Sequence, residues 1–154
     1  IDWLLNAGLV LKCDKTIRGD VPPNMYADIS SFKIYMSDVG LLCNKAKVTK
    51  NNLEEYNQIY RGAITENYIA NQLTSNGYDL HYWETTNGSE VDFIIIKDDK
   101  IVPIEVKTSE RNTSKSLKSF MKQYNPDYAI RISSKNFGFE NKIKSVPLYA
   151  TFLI

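Results

Sequence analysis

Two acidic residues and one lysine lie close together in a part of the chain that is otherwise rich in Val and Ile: Asp92, Glu105 and Lys107. Carboxylate oxygens are the ligands that Mg²⁺ prefers, and water and substrate phosphate usually complete its shell. A lysine two positions after an acid could polarise or deprotonate an attacking water, or stabilise charge on a phosphate. The residue types therefore predict a Mg²⁺ or Mn²⁺ site at Asp92 and Glu105, with the carbonyl of Val106 as a further ligand.

A β-hairpin is expected to position these residues. Glu90–Lys97 and Lys100–Lys107 are apolar at nearly every central position, which predicts strands covered on both faces. Asp98 and Asp99 between them are expected to form a two-residue turn that places Lys97 opposite Lys100.

The register of this hairpin decides which side chains meet. It places Asp92 opposite Glu105 and Glu90 opposite Lys107, with opposed Cβ atoms about 4.5–5.5 Å apart. Alternation along each strand would direct all four side chains to one face. Adjacent carboxylates repel and are costly to desolvate, so a cation between them is expected. The alternative is a surface cluster of Glu90–Lys107 and Glu105–Lys107 ion pairs.

A third acid, Glu66, lies in the longest helical pattern, residues 56–75, which ends at Asn76-Gly77. It could face the same metal, or it could be a solvated helix residue; both interpretations stay open.

Positive charge is local, because the net charge of the chain is only +1. A basic stretch follows the hairpin and includes a helical pattern over residues 114–124, in which Lys115, Lys118 and Lys122 share one face. This face could contact phosphates, but a solvated surface opposite Leu117 and Phe120 is the favoured interpretation.

The remaining elements indicate an α/β fold. From residue 56 the expected order is helix, three strands, helix and two strands, over 80–84, 90–97, 100–107, 128–133 and 146–153, with a loop at 136–141. This order predicts a mixed sheet flanked by helices. His81 in the first of these strands is expected to be structural.

The first 45 residues predict a smaller unit. A helix ending at Gly8, a strand at 9–13, a loop at 15–24 and a strand at 32–36 give the order of a winged-helix-like segment, followed by a polar linker at 45–52. We therefore expect a division into residues 1–45 and 46–154. Because the chain begins at Ile1 within a helical pattern, we expect it to be a fragment of a longer polypeptide.

Residues 90–107 resemble the core motif of the PD-(D/E)xK nuclease superfamily. Asp92 matches its aspartate, Glu105 its (D/E) and Lys107 its lysine, while Glu66 matches the helical acid of many members. The usual proline before the aspartate is replaced by Val91. The resemblance implies a nuclease-like fold and metal-dependent phosphodiester hydrolysis, with Lys107 positioning the nucleophile.

A second resemblance covers nearly the whole chain. Phe32–Leu42, Gly62–Asn67, Tyr82-Trp83, Glu90–Phe93 and Pro103–Lys107 are together similar to the C-terminal region of a prokaryotic family with an AAA+ ATPase, a winged-helix segment and a domain of unknown function (number 4143). This resemblance implies an ATPase module upstream. The chain itself has no GxxxxGK[ST] loop for ATP.

Cysteine usage and hydropathy indicate the expected compartment. Two cysteines, Cys13 and Cys43, and no recognisable signal peptide predict a cytoplasmic protein with reduced thiols, although a disulfide between them stays open. No apolar run reaches the roughly 18 residues that a membrane span needs.

Three functions fit these patterns. The first is a metal-dependent nuclease acting on DNA. The second is a catalytically inactive nuclease fold that binds nucleic acid or a protein. The third is an oligomerisation or regulatory module for the ATPase.

Overall fold

The computed structural model describes residues 1–49, 58–108 and 115–154. Within these ranges, eight strands form one sheet in the order β2-β1-β3-β4-β5-β6-β8-β7. The strands are β1 Val10–Thr16, β2 Ala27–Met36, β3 His81–Glu84, β4 Glu90–Lys97, β5 Lys100–Val106, β6 Ala129–Ser133, β7 Gly138–Glu140 and β8 Ile143–Pro147. The helices are α1 Asp2–Asn6, α2 Val39–Lys45, α3 Gln58–Ser75 and α4 Lys115–Tyr124, with 3₁₀ turns at Pro23–Tyr26 and Leu148–Leu153.

The sheet is mixed, which confirms the predicted α/β class. Strand β1 runs parallel to β3, and β5, β6 and β8 are parallel to one another. The other neighbouring strands in the described ranges are antiparallel. The carboxyl ends of β5, β6 and β8 therefore lie at the same edge of the sheet.

Helix α3 covers one face of the sheet. Its Ile69 and Leu73 are fully buried in a first core cluster that also contains Phe93, Ile95 and Ile104. Apolar burial of this kind contributes about 1.5–3 kcal/mol for each large side chain.

Helix α4 covers the other face. Its Leu117 and Phe120 are buried in a second cluster with Trp83 and Ile94, and the Phe120 ring meets Trp83 edge-on with centroids 5.2 Å apart. Because Ile94 and Ile95 are adjacent in β4 but belong to different clusters, the strand is covered on both faces, as its apolar sequence predicts.

The central hairpin has the predicted turn and register. Lys97 pairs with Lys100, and the ladder continues to Phe93 opposite Ile104. Asp98 and Asp99 both have positive φ, 52° and 59°, the backbone conformation of a two-residue turn whose twist matches that of the flanking strands.

The first 45 residues form the outer part of the same sheet. Strand β1 continues through Lys15 and Thr16, which were predicted as loop, because these residues pair with Tyr82 and Trp83 of β3. Strand β2 likewise begins at Ala27 instead of residue 32. The strands before and after residue 45, the predicted domain boundary, therefore belong to one sheet.

Several other expectations are confirmed or corrected by the described residues. The first helix ends before Gly8, which has φ +66°. The last strand was predicted to reach residue 153, but β8 ends at Pro147, which has no N–H to continue the ladder, and a 3₁₀ turn follows. Residues 138–140, predicted as loop, pair with β8. Residues 50–52 of the predicted linker and residues 56, 57 and 114 of the predicted helices lie outside the described ranges.

The two cysteines are free thiols, with Cys13 fully buried in the first cluster and Cys43 partly exposed on α2. Among the described helices, none is long and apolar enough to cross a membrane.

A paired glycine substitution tests how closely the first segment packs on α4. A Cβ at Gly19 would collide with the Phe120 ring and lie 2.8 Å from Cδ2 of Tyr124, and Phe120 is fully buried and cannot swing away. Gly19→Ala should lower the free energy of unfolding by about 1–3 kcal/mol in urea denaturation. Gly62→Ala in α3 has open space around its Cβ and should raise it by about 0.5–1 kcal/mol. Equal stability of the two variants would contradict this packing.

Candidate functional site

A β-bulge sets the position of Asp92. Along β3 and β4, His81 pairs with Ile94 while Trp83 pairs with Val91, so Tyr82 alone faces both Asp92 and Phe93. The extra residue bends the strand and redirects the side chain there, and bulges are frequent next to active sites. Asp92 consequently lies where β4 and β5 stop pairing, since Phe93 and Ile104 form the last pair of their ladder.

The Asp92 carboxylate contacts the backbone of the neighbouring strand. Its Oδ2 accepts a hydrogen bond from the backbone N–H of Val106 at 2.7 Å. That nitrogen belongs to the peptide bond between Glu105 and Val106, so Asp92 lies directly against the backbone that carries the second predicted acid.

Desolvation disfavours the ionised form of Asp92. Loss of hydration raises its pKa from 3.8 to about 7, and the negative charges of Glu66 and Glu90 act in the same direction. The hydrogen bond from Val106 and the positive charge of Lys33 oppose this shift. The group therefore titrates near neutral pH, as many functional carboxyls do.

Glu105 is a buried acid with an unsatisfied oxygen. The residue is 3% exposed, and its Oε1 lies 3.0 Å from Nζ of Lys107. Within the described part of the chain, Oε2 has no hydrogen-bond partner, and neither has Nε of Arg131, the residue beside it on β6. A buried carboxylate oxygen without a partner is rare and calls for a water or a cation.

Glu66 is held by residues of β2. Nζ of Lys33 lies 2.9 Å from its Oε1, and the Tyr35 hydroxyl donates to the same oxygen. Lys33 also bonds Glu90 and lies 5.0 Å from the centroid of the Tyr82 ring. Glu66 is therefore not a freely solvated helix residue, and Lys33 supplies the positive charge between it and Glu90.

The predicted side chains fall into two neighbouring groups instead of one. Asp92 is influenced by Glu66, Glu90 and Lys33, whereas Glu105 pairs with Lys107. Ile104 and Val106 both contact the first cluster, so strand alternation directs Glu105 between them towards the other face. The Glu105–Val106 peptide joins the two groups. No set of three or more His, Cys, Asp and Glu in the described ranges is arranged to hold a metal.

The alternative of surface ion pairs is partly correct. The Glu105–Lys107 pair is present, but Glu105 is buried, and the partner of Glu90 is Lys33, not Lys107. Lys115, Lys118 and Lys122 are exposed on α4, as expected for a solvated face. His81 is buried and bonded to Asn24, which agrees with a structural role.

A known protein family matches this chain. Residues 61–151 match the family model described as Domain of unknown function (DUF4143), a segment of more than half of the chain. The chain belongs to the DUF4143 family. No curated protein matches it. The DUF4143 segment contains Glu66, Asp92, Glu105 and Lys107, whereas Lys33 and Tyr35 lie upstream of it.

Sequence reasoning missed Lys33 and Tyr35 as members of the site. Both alternate with Phe32 and Ile34, so a strand must direct them to one face. A lysine on the same strand face as a tyrosine was the available signal. The apolar neighbours Phe32 and Ile34 are the more exposed residues. This is the reverse of the usual strand pattern, so the sequence did not indicate that Lys33 and Tyr35 face inwards.

Asp92→Asn tests the cost of burying this carboxylate. Asn still accepts the hydrogen bond from Val106 but carries no charge, so at about pH 8 the free energy of unfolding should rise by about 1–3 kcal/mol. Because the folded-state pKa lies above 3.8, protonated Asp92 stabilises the fold at low pH, and that stabilisation is lost as the pH rises through about 7. Urea titrations should show the wild type weakening relative to the variant between about pH 4 and 7.

Asp20→Asn is the matched control, because Asp20 is exposed and should stay within about 0.5 kcal/mol of the wild type. A loss of stability in Asp92→Asn would show that the carboxylate is a net stabilising group.

Proposed function

We propose that this DUF4143 chain is a metal-dependent nuclease-like domain that acts on DNA. The observation that carries the proposal is a pair of acids at the end of the central hairpin, of which Glu105 is buried and Asp92 half-buried. Asp92 has a raised pKa, Glu105 has an unsatisfied oxygen, and one peptide bond lies between them. Acids with restricted hydration are costly for folding, and a requirement for cation binding would account for their presence here.

The types of donor atom suit a hard divalent cation. Asp92 and Glu105 offer carboxylate oxygens and Val106 a carbonyl, which are the ligand types of Mg²⁺ and Mn²⁺. When bound, the ion would neutralise charge on a phosphate and lower the pKa of a coordinated water. Glu66, in the first group with Asp92, would assist through water.

Lys107 has the position of a residue that acts on the nucleophile. Its side chain is 25% exposed and pairs with Glu105 at 3.0 Å, so its ammonium group is held between the buried acid and solvent. There it would orient an attacking water and stabilise negative charge on the phosphodiester.

The wider context belongs to the same proposal. The resemblance of Phe32–Leu42 to the AAA+ ATPase family supports a cytoplasmic protein in which an ATPase module precedes this domain, with residues 1–45, which contribute the outer strands of the sheet, as the connection to it. The ATPase would be the source of energy for the DNA-directed activity.

Removal of the predicted catalytic side chains tests the nuclease. With Mg²⁺ or Mn²⁺, the wild type should cleave DNA in a gel assay, and Asp92→Ala or Lys107→Ala should reduce the rate at least about a hundredfold. Circular dichroism should show that both variants stay folded. Lys118→Ala, which removes an exposed lysine of α4, should cleave within about threefold of the wild type. A wild type that cleaves neither DNA nor RNA with either metal ends the enzymatic proposal.

One observation favours a catalytically inactive module instead. Lys33 already pairs with both Glu66 and Glu90, so this part of the site contains an internal cation that offsets part of its negative charge. In that case the fold would bind nucleic acid or a protein partner, or support oligomerisation next to the ATPase.

Lys33→Met separates the two functions by metal binding. Loss of the ammonium leaves two partly buried acids unpaired and should lower the free energy of unfolding by about 1–2 kcal/mol. If the carboxylates near Lys33 are metal ligands, calorimetry should show that the wild type binds Mn²⁺. Lys33→Met should then bind Mn²⁺ at least about tenfold more tightly, because the competing ammonium group is gone. Lys12→Met, which removes the partner of Asp14 on β1, should leave the affinity unchanged.

The inactive module is favoured if neither protein binds Mn²⁺ while DNA binding persists and weakens with salt. Absence of DNA binding, together with a concentration-dependent molecular mass in light scattering, would favour the oligomerisation module.

A further inference from the structure

A cavity of about 320 Å³ lies where the parallel part of the sheet meets α3. Its walls include Lys107 and Thr108 beyond the end of β5, Ser133 and Ser134 at the end of β6, and Pro147 at the end of β8. Open α/β sheets commonly bind ligands beyond the carboxyl ends of their parallel strands. Helix α3 closes the cavity with Arg61 and Thr65.

The charged and polar groups of the lining select for an anion. Arg61 and Lys107 are positively charged, and no acidic residue lines the cavity among the residues that the structure describes. Lys107 pairs with Glu105, whereas Arg61 forms no ion pair with any described residue. An arginine without a carboxylate partner presents a planar set of donors that matches phosphate oxygens.

Hydroxyl groups add further donors around the same space. The lining contains Thr65, Thr108, Ser133 and Ser134. Ser133 is buried, and its Oγ accepts a hydrogen bond from the backbone N–H of Lys135 at 3.2 Å, so its own proton is free to donate. Such groups bind phosphate oxygens well and carry no charge that would repel them.

The rest of the cavity suits a flat, apolar part of a ligand. Ile132, Pro147 and Leu148 form its apolar part, and Tyr149 at the rim is 70% exposed. An exposed aromatic ring is a stacking platform for a nucleobase. The volume lies at the lower end of the roughly 300–1,000 Å³ typical of small-ligand sites, so it fits one nucleotide and not a duplex.

We propose that this cavity binds a nucleotide phosphate monoester at the end of a nucleic-acid strand. Arg61 holds the terminal phosphate and Tyr149 stacks on the terminal base. The inference rests on the proposed function in naming nucleic acid as the ligand, and it makes the strand end the preferred substrate. A free nucleotide carries the same monoester and is the other source of this chemistry.

Fluorescence anisotropy with matched single-stranded oligonucleotides tests the inference. The strands carry a 5′-phosphate, a 3′-phosphate or only hydroxyl ends, and EDTA prevents cleavage. A phosphate at one of the two ends should strengthen binding to the wild type by about tenfold, equivalent to about 1.4 kcal/mol. Arg61→Gln should lose this advantage while it binds the hydroxyl strand within about twofold of the wild type. Lys45→Gln, the same charge change at an exposed position of α2, should keep it.

Each outcome has a separate meaning. Equal binding of all strands by the wild type together with no binding of nucleoside monophosphate, or an advantage that Arg61→Gln retains, overturns the cavity as the phosphate site, while DNA cleavage remains as the independent test of the nuclease. Binding of nucleoside monophosphate by the wild type but not by Arg61→Gln, without a strand-end effect, supports the cavity and identifies the free nucleotide as its ligand. Absence of binding by every strand and by the nucleotide overturns the inference.

Discussion

The turn at Asp98 and Asp99 is the constraint on which the rest of the site depends. Because both residues adopt positive φ, the turn has two residues, and the pairing of every position along β4 and β5 follows from it. A shift of one residue would exchange the faces of Ile94 and Ile95 and leave neither helix with a complete apolar surface to cover. The packing of α3 and α4 therefore reinforces the same register that brings Asp92 to the Glu105–Val106 peptide.

Much of this hairpin could be predicted from sequence because its information is local. The apolar strands, the turn between them and the register from Lys97 and Lys100 all follow from residues close together in the chain. The bulge at Asp92 could not be predicted, because it arises from the pairing of β4 with β3 and not with β5. That bulge is the reason why Asp92 and Glu105 approach one peptide from different surroundings instead of lying side by side.

The environment of Glu66 and the extent of β1 were also beyond local reasoning. Lys33 and Glu66 are 33 residues apart, and only the position of β2 at the sheet edge brings them together. Lys15 and Thr16 have loop-like neighbours in sequence, including Gly19 and two prolines, and pairing with β3 overrides that tendency. Pro147 shows the opposite case, since a local property ended a strand that the apolar pattern would have continued.

The burial of Cys13 has a practical consequence for the chemistry of this protein outside its site. Burial raises the pKa of the Cys13 thiol, which keeps it protonated and unreactive inside the first cluster. Cys43, partly exposed on α2, is the other cysteine of the chain. A maleimide dye should therefore attach at a single position without mutagenesis, and it would report on the helix that directly follows β2.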